Sequence, residues 1–137
     1  MNNILVDTCF WYALYDKSDQ HYDKAQKIKD YLELGNIIIP YPVMYETLNT
    51  YFVKKWINGF KEIINKSTTI LVSDEPYKNQ ALKNTLLLSS SRPMSLVDMV
   101  LRFMMEDVDL NINALITFNV RDFVDLCEYR RIELISQ

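Results

Sequence analysis

The sequence predicts an α/β protein, a three-layer α/β/α sandwich around a central parallel sheet of four to five strands. Two observations carry this. Short aliphatic runs such as Ile4-Leu5-Val6, Ile37-Ile38-Ile39 and Ala114-Leu115-Ile116 lack the polar alternation of a half-exposed sheet, so both faces are covered. Between them lie segments with apolar residues at helical spacing, and strands alternating with helices build parallel crossover units. The chain has 137 residues, 49% hydrophobic and 24% charged, which is an ordinary globular mix and is read as one domain spanning 1–137.

Ile4–Val6 reads as a first strand that ends at Asp7-Thr8, followed by a short helix over Phe10–Leu14. Tyr22, Ala25, Ile28, Tyr31 and Leu32 place a helix over His21–Leu34, with Gly35 as its stop. Ile37–Ile39 is the second strand. Pro42 then suits the first turn of a helix whose stripe is Met44, Leu48, Tyr51, Phe52 and Trp56, and a further short helix covers Phe60–Ile64. Ile70–Val72 is the third strand and Pro76–Ser90 a helix. A helix opened by Pro93 to Ser95 carries Val97, Val100, Leu101, Met104 and Val108. Ala114–Ile116 is the fourth strand, Val120–Leu126 a helix of one to two turns, and Ile132–Ile135 a fifth strand.

Composition removes several chemistries. Two glycines, Gly35 and Gly59, are too few for a Walker A loop or a Gly-rich dinucleotide fingerprint. One histidine, His21, rules out a histidine-metal helix, and two cysteines, Cys9 and Cys127, make neither a disulfide framework nor a zinc site. The longest uninterrupted apolar run, Cys9 to Tyr15, is about a third of the ~20 residues a spanning helix needs. No basic region followed by a long apolar segment opens the chain, so a cytoplasmic, non-membrane protein is expected. The net charge is −3 and the pI ≈ 5.1, opposite to the basic footprint of a protein held to nucleic acid by phosphate neutralisation alone.

What remains is carboxylate chemistry at strand exits. Asp7 follows the first strand, Glu46 lies early in the helix after the second, Asp98 opens the helix after Pro93, and Asp122 opens the helix after the fourth strand. In a parallel sheet the working crevice lies beyond the carboxyl ends of the strands, so all four are expected at one edge. Four acids together repel unless some are protonated or a cation is bound, and oxygen donors suit hard divalent cations such as Mg²⁺ or Mn²⁺. Such a site hydrolyses phosphodiesters. Each acid also has a plainer reading: Asp7 with Thr8 as a helix cap, Ser95-x-x-Asp98 as a capping box, Asn119-x-x-Asp122 as its variant, Glu46 as a solvated helix charge. Cap and site are compatible.

Four segments, in order, carry a family resemblance: Leu5-Val6-Asp7-Thr8, Val43-Met44-Tyr45-Glu46, Ser95-Leu96-Val97-Asp98, and Leu115-Ile116-Thr117-Phe118-Asn119-Val120-Arg121-Asp122-Phe123. The chain resembles a PIN-domain ribonuclease, in particular the small toxins of VapC type. That resemblance implies Asp7, Glu46, Asp98 and Asp122 as metal-binding catalytic acids, with Thr8 and Thr117 as supporting hydroxyls. It further implies an RNA substrate, a homodimer paired through helices of the N-terminal half, and a cognate antitoxin that lays a segment with a basic side chain across the acids. Asn119 stands where many relatives carry an aspartate; it offers an oxygen but neither charge nor a base.

Arg92 and Arg121 are candidates for substrate phosphate, against ordinary surface charge. His21 reads as a surface or capping residue, and Cys9 and Cys127 as buried small hydrophobes. A catalytically silent PIN-like module that binds protein or RNA is the alternative function, and Asn119 with the acidic pI favours it. A haloacid-type phosphatase needs an aspartate two residues after Asp7, where Cys9 stands.

Overall fold

β1 (Asn2–Val6) is the central strand of a five-stranded, all-parallel sheet in a computed structural model that describes residues 2–137. It is followed by α1 (Thr8–Tyr15), α2 (Tyr22–Ile28), β2 (Gly35–Pro40), α3 (Tyr41–Thr47), α4 (Thr50–Ile64), β3 (Thr69–Val72), α5 (Lys78–Leu87), α6 (Leu96–Glu106), β4 (Ala114–Ile116), α7 (Val124–Arg130) and β5 (Glu133–Ile135). The strand order is β3-β2-β1-β4-β5, with Ile4 paired to Ile37 on one side and to Ala114 on the other.

That order fixes the layers. The chain steps from β1 to β2 to β3 in one direction and then returns across the sheet to β4 and β5. Right-handed crossovers therefore put α1 to α4 on one face and α5 to α7 on the other, giving the three-layer α/β/α sandwich, PIN-like in its form. Within the layers α1 packs on α2, α3 and α4, while α6 packs on α5 and α7. Leu5, Val6, Ile37, Ile39, Leu115 and Ile116 are fully buried, as the unalternated strand pattern requires. On the α1 face Phe10, Trp11, Phe52 and Phe60 form an edge-to-face aromatic core, Trp11 lying 5.2 Å from Phe60. Where β1 meets β4 the strand connections diverge to opposite sides, which opens a crevice at their carboxyl ends.

Several predicted boundaries shift. The helix expected over His21–Leu34 is α for about two turns, Tyr22–Ile28, and then tightens to a 3-10 helix over Lys29–Glu33. Gly35 does not stop it but begins β2, where any Cβ would overlap the carbonyl of Asn2 on β1. The helix expected from Pro42 through Trp56 is two helices. Leu48 ends α3, and the Asn49 side chain accepts the Phe52 N–H at 3.1 Å to start α4, which then runs unbroken through Phe60–Ile64. Val120–Leu126 divides into a 3-10 turn over Val120–Asp122 and α7. Among the described residues no helix is long and apolar enough to cross a membrane.

Candidate active site

Asp7 leaves β1 with its side chain folded back on its own helix. It accepts the Thr8 N–H at 2.7 Å, capping α1, while its other oxygen accepts the Thr117 hydroxyl at 2.8 Å. Thr117 follows β4, so this bond spans the divergence of the two central strands. Thr117 is itself fully buried, and Cys9 donates its thiol to the same Asp7 oxygen at 3.6 Å. Burial pushes the Asp7 carboxyl up, its hydrogen bonds oppose that, and the nearby Asp122 charge adds to the rise. Burial and the Asp7 charge together push the Cys9 thiol up to about 12, so it is an inert neighbour rather than a nucleophile.

The other acids gather around this pair in two bridged sets. The Thr8 hydroxyl donates to Glu46 Oε1 at 2.7 Å, which ties the exposed Glu46 of α3 to the start of α1. The Asn119 amide donates to Asp98 Oδ2 at 3.1 Å and to Asp122 Oδ2 at 2.8 Å, so one neutral side chain joins the carboxylates of α6 and of the 3-10 turn after β4. Asn119 is itself held from Thr117, whose hydroxyl oxygen accepts the Asn119 N–H at 3.0 Å. Asp98 is raised from 3.8 to about 7, first by burial and then by the charges of Asp7, Asp122 and Glu46. Three acids from three other parts of the chain thus act on one carboxyl.

The plainer readings divide. Ser95 caps α6 by accepting the Asp98 N–H at 3.0 Å, and Asp98 still faces the other acids. Asn119, by contrast, makes no side-chain cap; its amide is spent on the two carboxylates. Asp7 both caps α1 and faces the cluster.

Donor chemistry gives the test of a metal. A hydrogen-bonded set of carboxylate oxygens, buried at Asp7 and Asp122 and exposed at Glu46, where burial and like charge raise the proton affinity of Asp98, suits a hard divalent cation. As they stand, no three carboxylate, thiol or imidazole groups among the described residues form a set able to hold one ion, because Asn119 lies between Asp98 and Asp122 and Glu46 is turned to Thr8. The donor types suit such an ion, while the Asn119 amide bridges two of the carboxylates.

Arg92 and Arg121 line a cleft of about 240 Å³ with Asp122. Arg92 is engaged: its guanidinium forks onto Asp125 at 3.0 and 3.2 Å. Arg121 makes a long ion pair with Asp122 at 3.5 Å, its side chain 88% exposed. Two contributors escaped the sequence reading. Arg102, four residues after Asp98 on α6, donates to the Asp122 carbonyl at 2.8 Å and forks onto Asp125. The i, i+4 spacing from Asp98 was the available signal. His21 neither caps α2 nor stands free, for its ring stacks on Phe118 at 4.5 Å and 15°, beside Asn119. Nothing local in the sequence joins two residues so far apart.

No family model matches this sequence. No curated protein matches it either. Among solved structures it is similar to VapC20 of Mycobacterium tuberculosis, described as a Sarcin-Ricin loop cleaving toxin, with a TM-score of 0.70 and 19% identity over 89% of this chain and 94% of that one. The likeness is one of fold, and on it the chain has the PIN-like fold that VapC20 also has.

Proposed function

We propose that the chain is a divalent-metal-dependent endoribonuclease, a single PIN-like unit over 1–137, and a toxin controlled by a cognate antitoxin. One observation carries the reading: hydrogen bonds through Thr8, Thr117 and Asn119 link Asp7, Glu46, Asp98 and Asp122 in one place, where burial and the charges of the other three raise Asp98 to about 7. Among the described residues Arg121, at 3.5 Å from Asp122, is the one cation paired with any of the four; hydroxyls and an amide bridge the rest. The fold of the VapC20 toxin supports the same reading.

In this reading Asp7, Glu46, Asp98 and Asp122 would hold Mg²⁺ or Mn²⁺. The bound ion would supply a Lewis acid that activates water and offsets charge on the departing oxygen of an RNA phosphodiester. Thr8 and Thr117 fix the carboxylates of Glu46 and Asp7 by donating to one oxygen of each, leaving lone pairs for a cation. Asp98, raised to about 7, would have to release its proton to serve as a ligand. Arg121 reaches a substrate phosphate from the rim, and Arg92 does so only by leaving Asp125. An antitoxin side chain of Arg or Lys placed among the four acids would replace the cation's charge and shut the site.

The test is incubation of purified protein with a panel of structured RNAs, a sarcin-ricin loop among them, with Mg²⁺, with Mn²⁺ and with chelator, beside Asp7→Asn. Cleavage that needs the ion and is lost in Asp7→Asn supports the enzyme. The Asn119 amide, which neutralises the pair where a charged ligand would help, favours a second reading, a silent PIN-like module. RNA binding without cleavage under any ion supports that one.

A further inference from the structure

Beside the acids the surface sinks into an open cleft of about 360 Å³, bordered by His21, Phe118, Tyr12, Gln20, Cys9 and Asn119. Asn119 is the amide that joins Asp98 to Asp122, so the cleft and the candidate active site share a wall. Another part of its lining is aromatic: His21 and Phe118 lie within 15° of parallel, 4.5 Å between centroids, and both are half-buried. Each ring covers one face of the other and Phe118 also packs on Phe10, so the outer face of His21 is the π surface left for a ligand. The His21 main-chain N–H is held by Asp19 Oδ1 at 2.8 Å, which fixes the residue, yet among the described residues the imidazole nitrogens bond to nothing. They are available to a ligand, as is the exposed Gln20 amide.

This combination selects its ligand class. No Lys or Arg borders the cleft, and Asp19 does, so it is not built for a phosphate. A planar heterocycle with donors and acceptors on its edge matches a π wall with imidazole and amide groups at its margin. Single-stranded RNA is read in this way, by bases splayed from the strand onto aromatic or histidine faces and then hydrogen-bonded at their edges. The adjoining acids would act on a phosphodiester, and a nucleotide's base lies one ribose away from its phosphate.

We propose that the cleft between the His21–Phe118 stack and Asn119 is a binding site for one unpaired RNA nucleobase adjacent to the bond that the acids cut. The position of the base relative to a cut rests on the nuclease reading; occupancy of the cleft by a base does not. The consequence is selectivity at one nucleotide of the target.

His21 is the sole histidine, so its ring protons can be followed by NMR without ambiguity. The unmodified protein in chelator is titrated with AMP, GMP, CMP and UMP, and then with a short single-stranded RNA. Saturable shifts of the His21 ring protons, largest for one base and reproduced by the RNA, are expected. His21→Ala should weaken binding of that RNA between about fivefold and a hundredfold and flatten base preference at one position. His21→Phe, which keeps a stacking face, should recover most of the affinity and less of the preference.

Unmoved His21 signals with all four nucleotides and the RNA would overturn the site. So would unaltered RNA affinity and unaltered cleavage pattern in folded His21→Ala. Shifts produced only by a protein partner and never by a nucleotide would overturn it in favour of a protein-docking cleft. His21 signals that respond to nucleotides in a protein that cuts no RNA would sink the nuclease reading and uphold this one, so the two fail separately.

Discussion

Asp98 has a proton affinity far above that of a free carboxyl because burial and three like charges act on it together. Between about pH 4 and pH 7 the folded chain holds a proton that the unfolded chain has released, so this contribution to stability is full below about pH 4 and is lost as pH rises through about 7. In chelator, denaturation midpoints should therefore fall over that range, and Asp98→Asn should flatten the fall while leaving the protein equally or more stable at pH 7.5. A steeper loss in the variant would reject the crowded-acid account. With metal and RNA, Asp98→Asn and Asp7→Asn should each lose activity by about 100-fold or more, since each removes a charged ligand from a shared set; full cleavage by folded Asp98→Asn protein would end the assignment. Asn119→Asp removes two donated hydrogen bonds and adds a charge. It should lower metal-free stability and raise Mn²⁺ affinity in calorimetry, and weaker binding with the fold intact would show that the residue does not serve the ion. At this scale the placements of Asp7, Asp98 and Asp122 were legible because each follows a strand or opens a helix, whereas Glu46, expected early in its helix, lies in the last turn of the short α3. The Asn119 bridge and the His21–Phe118 stack were not, since both depend on side-chain directions across elements distant in sequence.

The junction of α6 with α7 shows how elements hold the site. Arg102 spans from α6 to the Asp122 carbonyl and to Asp125 at the start of α7, and Arg92 brings the segment after α5 to the same carboxylate. The two guanidinium groups hold the Asp125 carboxyl well below the usual carboxylate range. A depressed acid contributes stability above its unfolded value, and that contribution fades as pH falls below it. Because Asp125 is largely exposed, screening keeps Asp125→Asn to about 1 kcal/mol at neutral pH. The gap between parent and variant should close as the buffer is taken from about pH 5 toward pH 2, and a gap that widened instead would show the pairing to be unimportant. Helix boundaries were the least legible features of the sequence. Tyr31 and Leu32 continue the apolar period of α2, so periodicity alone cannot register the change to 3-10 geometry over Lys29–Glu33. The break after Leu48 was signalled only by Asn49, a good cap lying inside an otherwise continuous stripe.

Strand order is a property of the whole molecule, and nothing in a run of three aliphatic residues states which neighbour it will take. The α/β class was legible from alternation, but the return of the chain from edge strand β3 to β4 beside β1, which creates the crevice, is set by tertiary packing. Surface composition is likewise global. A chain of this size cannot bury nine tyrosines, and the structure takes Trp11, Phe52 and Phe60 wholly into the core while leaving Tyr45 75% and Tyr51 54% exposed. Tyr41 and Tyr45 stand together on α3, 6.2 Å apart, and Tyr51 and Val53 extend the exposed apolar surface onto the start of α4. Aromatic residues at this density on a surface mark contact sites. A homodimer through α3 and α4 is expected, with a mass in sedimentation equilibrium of twice 16.2 kDa at micromolar concentration. Tyr45→Lys combined with Tyr51→Lys places like charges on both sides of a two-fold contact and removes its aromatic anchors. The double variant should weaken association by at least ~10-fold without lowering the melting temperature measured at high dilution, because neither ring belongs to the core. A parent protein that sediments at 16.2 kDa throughout the micromolar range would refute the dimer, and an undiminished dimer in the double variant would move the contact off this face.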